Sequence, residues 1–207
     1  MEIRKILFED FPERLKNVPD PPKQLYILGR VELVYPVRVS ASKIIAIVGT
    51  RQISDYGQEI TAKLTKELVK QGFVIISGMA LGVDSAAHWA AINNKGKTIA
   101  VLGCGVDIIY PRENEALYFK IIESGGAIIS EIPPRHFVSR QAFAARNRII
   151  SGLSGAVLIT ECNIRSGSMV TAKLALDQGK DIYCVPGSEG TDYLIEQGAH
   201  DILHEWI

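Results

Sequence analysis

Six short runs of consecutive apolar, largely β-branched residues punctuate the chain: Lys43–Val48, Phe73–Ile76, Thr98–Leu102, Ala127–Ile129, Ala156–Ile159 and Asp181–Val185. They are continuous rather than alternating, which is the pattern of strands buried on both faces of a sheet. Between them the period changes. Gln58–Gln71 carries Ile60, Leu64 and Leu68 four apart, one apolar stripe that Gly72 ends. Asp84–Asn94 begins at an acidic N-cap and stops before Gly96. Glu113–Glu123 presents Leu117, Ile121 and Ile122 and stops before Gly125. Ser168–Gln178 presents Met169, Leu174 and Leu176 and stops at Gly179. Alternation of this kind predicts an α/β fold: a single domain with a doubly wound, mainly parallel sheet and helices on both faces.

The N-terminal stretch breaks the pattern. It holds Pro12, Pro19, Pro21, Pro22 and Pro36, five of the nine prolines. The expectation is an irregular extension over 1–42 packing on the core, with a short strand at Leu25–Leu28, ahead of a core domain at 43–207. Lys+Arg and Asp+Glu balance at 23 each, so net charge advertises no nucleic-acid or membrane partner, and any electrostatic site must be local. Cys104, Cys162 and Cys184 are far apart and sit in or beside apolar runs, which reads as reduced, buried thiols. The N-terminus has no basic-then-apolar leader, and the apolar runs are of strand length. The expectation is a cytoplasmic protein without a membrane partner.

In open parallel sheets, ligands bind beyond the carboxyl ends of the strands. Five of the six segments there contain glycine: Gly49–Arg51, Ser77–Gly82, Gly103–Gly105, Thr160–Ser168 and Pro186–Gly190; the sixth is Ser130–Glu131. Such loops bring backbone amides and helix N-termini to the surface, where both bind anions. The dinucleotide spacing G-x-G-x-x-G is absent after the first strand, and no P-loop is present, so no nucleotide cofactor is expected. The stretch from Ile132 to Thr160 holds Arg135, Arg140, Arg146 and Arg148, no acid, and the interleaved Phe137 and Phe143. Arginine neutralises phosphate and a ring offers any base a stacking face, which suits single-stranded nucleic acid. A solvated basic face with Phe143 in the core is the other reading.

Several pairs also fit two accounts. Asp84 and His88, four apart, are either an acid–base pair or a helix N-cap beside a packed histidine. His200 and His204 share the spacing but lack a nearby third ligand for a metal. Glu131 and Glu161 are either catalytic carboxylates or partners of arginines and backbone amides.

The motifs taken together carry a resemblance. They are "VGTR" at 48–51, "SGMALGVDSAAH" at 77–88, "GKTIAVLGCGVDIIYPREN" at 96–114, "GGAIISE" at 125–131, "FAARNRIISGLS" at 143–154, "SGSMVTAKLALDQGKDIYCVPG" at 166–187 and "YLIEQGA" at 193–199. In order and over nearly the whole chain, they resemble the DNA-processing protein A (DprA/Smf) family. The resemblance implies an extended Rossmann-like fold without a cofactor or catalytic turnover. It also implies single-stranded DNA bound in a basic pocket, assembly as a homodimer, and help in loading a RecA-type recombinase during natural transformation. The site residues it implies, together with the loops above, are Gly49, Thr50, Arg51, Ser77, Gly78, Arg140, Phe143, Arg146, Asn147, Arg148, Ser166, Gly167, Ser168 and Thr171. The chain departs from the family at Ala144, where proline is usual, at Asp192, where asparagine is typical, and in a short stretch after Gly187. The small N-terminal helical domain and C-terminal winged helix of many members have no counterpart in these 207 residues. The related nucleoside-monophosphate phosphoribohydrolases carry "PGGxGTxxE". The matching helix here, "SGSMVTAKLALD", offers no glutamate after Gly167, so hydrolysis or nucleotide sensing is the alternative rather than the main expectation.

Overall fold

The computed structural model describes residues 2–34, 43–137 and 140–206, the side chains of Arg140, Glu205 and Trp206 excepted. Pro36 lies outside the described residues. The six apolar runs all form strands, at Ile44–Val48 (β3), Val74–Ser77 (β4), Thr98–Val101 (β5), Ala127–Ser130 (β6), Ala156–Ile159 (β7) and Asp181–Cys184 (β8). Every residue of β3, β4, β5 and β6 is buried, as continuous rather than alternating runs require. The expected helices are present, at Asp55–Lys70 (α2), Val83–Asn93 (α3), Glu115–Glu123 (α4) and Gly167–Asp177 (α7), but the N-cap of α3 is Gly82, and Asp84 lies in the first turn with its carboxylate on the Gly78 and Ala80 amides.

The N-terminal stretch is more regular than its prolines suggest. Ile3–Leu7 (β1) and Gln24–Gly29 (β2) form an antiparallel pair, and β2 runs antiparallel to β6. Between them the short helix Glu13–Lys16 (α1) places Leu15 wholly in the core. β1 is an edge strand with three of five residues exposed, so it has no apolar periodicity to read. Five further helices and strands follow in the described chain: Arg140–Ala145 (α5), Asn147–Leu153 (α6), Glu189–Glu196 (α8), His200–Asp201 (β9) and Ile202–Trp206 (α9).

The strands among the described residues form one sheet in the order β1-β2-β6-β5-β4-β3-β7-β8-β9. From β3 to β9 all pairings are parallel. Ile60, Leu64 and Leu68 of α2 and Val83, Ala87 and Ala91 of α3 pack on one face, and α4 continues that layer with Leu117 and Ile121. Leu15, Ile149 and Ile150 of α6, and Ala172 and Ala175 of α7 pack on the other. The sheet is therefore covered on both sides, as the doubly wound reading requires. β3, β4, β5 and β6 step one way across it and β7, β8 and β9 the other, so the order reverses between β3 and β7. At such a switch point adjacent loops diverge and leave a crevice beyond the carboxyl ends.

Candidate nucleic-acid interface

The loops at the switch point are fixed to one another by main-chain bonds. Thr50 N–H donates to the Glu161 carbonyl (2.7 Å), and Val83 N–H donates to the Thr50 carbonyl (3.1 Å). The Ser77 hydroxyl donates to the Ile47 carbonyl (2.6 Å), so Ser77 is buried between β3 and β4 rather than open to a ligand. Gly82 has φ +79° and lies against the Thr50–Arg51 backbone, where a β-carbon would collide. Gly78 faces the Arg146 guanidinium just as closely. Glycine at 78 and 82 thus lets three loops and one arginine approach a common point.

Beyond this point lies a cleft of ≈ 990 Å³. Gly49, Thr50 and Arg51 come to it from the β3 loop, and Ser166, Gly167, Ser168 and Thr171 from the start of α7. Phe143, Ala144, Arg146 and Asn147 come from α5 and α6. A second compartment of ≈ 570 Å³ adjoins it, lined by Gly78, Tyr110 and Arg112 and sharing Arg51, Phe143 and Arg146 with the first. Segments more than a hundred residues apart therefore meet at one rim.

The cations differ in kind. Arg51 and Arg165 are exposed at the rim. Arg146 is 5% exposed and donates to the carbonyls of Val101 and Phe143 (3.3 Å for the latter). Burial pulls its pKa down, against the pull of the Asp84 carboxylate; a guanidinium stays charged regardless. Burial likewise pushes the Asp84 carboxyl up, opposed by Arg146 and by the amides of Ala80 and Gly78, which donate to it at 3.2 and 3.1 Å. At the α7 terminus, Gly167 and Ser168 occupy the first turn, whose amides have no partner within the helix. The space beside Gly167, where a β-carbon would stand, is open. Asn147 Nδ2 donates to the Gly167 carbonyl (3.5 Å), and the Ser166 and Ser168 hydroxyls bond each other. An anion at this terminus would meet free amides and the positive end of the helix. The Tyr110 and Phe143 rings lie 5.0 Å apart and tilted, with Phe143 packed over Gly103.

Arg148 goes elsewhere. Its guanidinium grips Glu131 through two bonds of 2.9 and 2.6 Å, and its Nε donates to the Asp20 carbonyl (2.6 Å). It lines neither compartment and ties α6 to β6 and the N-terminal segment. Arg135 is exposed outside the lining, and the Arg140 side chain lies outside the described residues. Glu161 accepts from the Ser54 amide (3.1 Å) and hydroxyl (2.9 Å) and so steadies the N-cap of α2. Both glutamates are thus bound up in arginine and backbone contacts. Asp84 does not face His88 as an acid–base partner. His88 Nδ1 bonds the Thr98 hydroxyl (2.6 Å), which itself donates to the Ile75 carbonyl (2.9 Å), and burial lowers the His88 pKa to about 3. His200 stacks on Tyr183 at 4.9 Å, and His204 lies 3.8 Å from Asp201. Asp192 accepts from the Gly187 amide (2.7 Å) and lines neither compartment. Sequence reasoning passed over Tyr110, Arg112 and Arg165 as site residues. Their signal was position: Arg165 stands in the glycine-containing loop after β7, and Tyr110 and Arg112 in the segment after β5.

The sequence profile described as DNA recombination-mediator protein A matches residues 3–205. The chain belongs to the DNA recombination-mediator protein A family. Among curated members, Protein Smf of Synechocystis sp. is 44% identical over 204 residues, covering 95% of this chain and 50% of that protein. DNA processing protein A of Streptococcus pneumoniae superposes with a TM-score of 0.87 at 34% identity, over 100% of this chain and 75% of that one. The same protein from Helicobacter pylori, whose structure concerns its single-stranded DNA binding mode, gives 0.87 at 35% identity, over 98% and 91%. The chain spans about half to two thirds of the length of the curated DNA recombination-mediator relatives it matches first. No helix among the described residues is long and apolar enough to cross a membrane.

Proposed function

We propose that the chain binds single-stranded DNA along the switch-point cleft, without chemical turnover. One observation carries the reading: Arg51, Arg146, Arg165, the amide end of α7 and the Tyr110–Phe143 rings converge on one groove. Arginines and free amides take phosphates in any sequence, and the rings take bases by stacking. The relative from Helicobacter pylori described for single-stranded DNA binding supports the same ligand class. The hydrolase alternative lacks its carboxylate: the first acid of α7 is Asp177, at the far end of that helix from the cleft. Pairing with a second copy of this chain, delivery of the strand to a RecA-type recombinase during natural transformation and a cytoplasmic setting belong to this proposal, with family membership as their support.

A fluorescence-anisotropy titration of labelled oligo(dT) at rising salt, run beside an AMP-hydrolysis assay, tests the reading. The expected result is sequence-tolerant binding that weakens steeply with salt, and no free adenine. Adenine release without oligonucleotide binding identifies a hydrolase. Binding of a small nucleotide with indifference to oligo(dT) identifies a sensor.

A further inference from the structure

Two loops wall the smaller compartment: Gly78–Leu81 after β4, and Ile109–Glu113 before α4. The residue after the second loop, Asn114, precedes α4 at its N-cap, where asparagine ordinarily caps its own helix. Its side chain makes no such bond. It reaches instead across to the first loop, donating from Nδ2 to the Met79 carbonyl (2.8 Å) and to the Ser85 hydroxyl (2.9 Å). Ser85 in turn donates to the Ala80 carbonyl (2.6 Å). From the other side Asp84 accepts from the amides of Gly78 and Ala80. Between these holds Met79 sits at φ +61°, a left-handed conformation that a side-chain-bearing residue keeps only when its surroundings impose it. Gly78, next to it, is the surface against which the Arg146 guanidinium lies. Asn114 is buried and lines neither compartment, so it has no direct path to a bound strand.

We infer that Asn114 is a positioning residue for the cleft: it joins the Gly78–Leu81 loop to the Ile109–Glu113 loop, and through Gly78 it fixes the seat of Arg146. The inference rests on the reading of this cleft as a strand-binding site. Ser85 and Asp84 serve the same end: both hold the 78–80 backbone from within the "SGMALGVDSAAH" stretch.

The test is Asn114→Asp, which keeps the shape and removes the donor, beside Asn114→Ala and the milder Ser85→Ala. Each is titrated with oligo(dT) over a range of salt, at a temperature where its circular dichroism is that of the folded protein. Amide exchange is followed over 78–81. Asn114→Asp should bind about tenfold more weakly, the scale of one buried hydrogen bond, with the wild-type salt slope and faster exchange over 78–81. Ser85→Ala should move in the same direction. Wild-type affinity in folded Asn114→Asp overturns the inference, and so does a salt slope reduced as far as in Arg51→Ala, which would mean a phosphate contact. Wild-type protein that ignores oligo(dT) defeats the underlying reading instead. Exchange over 78–81 then still judges the clamp, and an unchanged rate in Asn114→Asp rejects it.

Discussion

Arg51 and Arg146 bring the same charge to one cleft under opposite constraints. Arg51 is exposed and is held by no ion pair among the described residues, so Arg51→Ala takes one positive charge from the rim of the cleft and little else. Its effect should be uniform across sequences, with the salt slope of binding reduced by roughly 0.7 to 1 in an anisotropy titration. Arg146 is built into the protein interior beside Asp84. Arg146→Ala leaves that acid unbalanced in a buried place and should cost about 3 kcal/mol of folding stability by urea denaturation, besides weakening binding. His88 is a second residue whose role is structural. Its unfolded pKa is near 6.5 and its folded value about 3, so between these the unfolded chain holds the extra proton. Its contribution is complete above pH 6.5 and is lost as pH falls toward 3. Lowering pH from 7 to 5 should cost wild type roughly 2 kcal/mol more than His88→Leu, measured by urea unfolding at both values. Burial pushes the thiols of Cys104 to about 11 and Cys184 to about 12, and raises that of Cys162. None should react with a thiol reagent at neutral pH until urea is added.

At the scale of elements, the core strands were legible because burial on both faces leaves an unbroken β-branched run, and the four long helices because each stops at or shortly before a glycine and three of them carry apolar residues at helical spacing. β1 was not legible, since an exposed edge strand such as "IRKIL" needs no pattern. Nor were α5 and α6, where the acid-free, arginine-rich stretch drew attention as charge rather than as helix. The same stretch shows what charge counting cannot separate. Arg146 and Arg148 are two apart, and that spacing puts them on opposite sides of one turn, sending one under the cleft and the other to Glu131. Arg148→Ala should therefore act on α6 rather than on DNA. It breaks a two-bonded, partly buried pair, which should lower stability by about 1 to 3 kcal/mol in urea unfolding while the fraction that remains folded keeps its salt slope.

At the scale of the molecule, a neutral chain gains a local positive groove because the strand order reverses between β3 and β7. That order is set by which strands pair across long stretches of sequence, and no local pattern records it. The loops were visible as glycine-containing segments at one edge of the sheet; the switch point at which three of them meet was not, nor was the place of Tyr110 and Arg165 among them. Photo-crosslinking of an oligonucleotide carrying 5-iododeoxyuridine, with the attached peptides sequenced, locates the bound strand directly. Attachment at Tyr110 or Phe143 is the predicted result; attachment confined to the outer surface of α2, α3 and α4 would contradict the account.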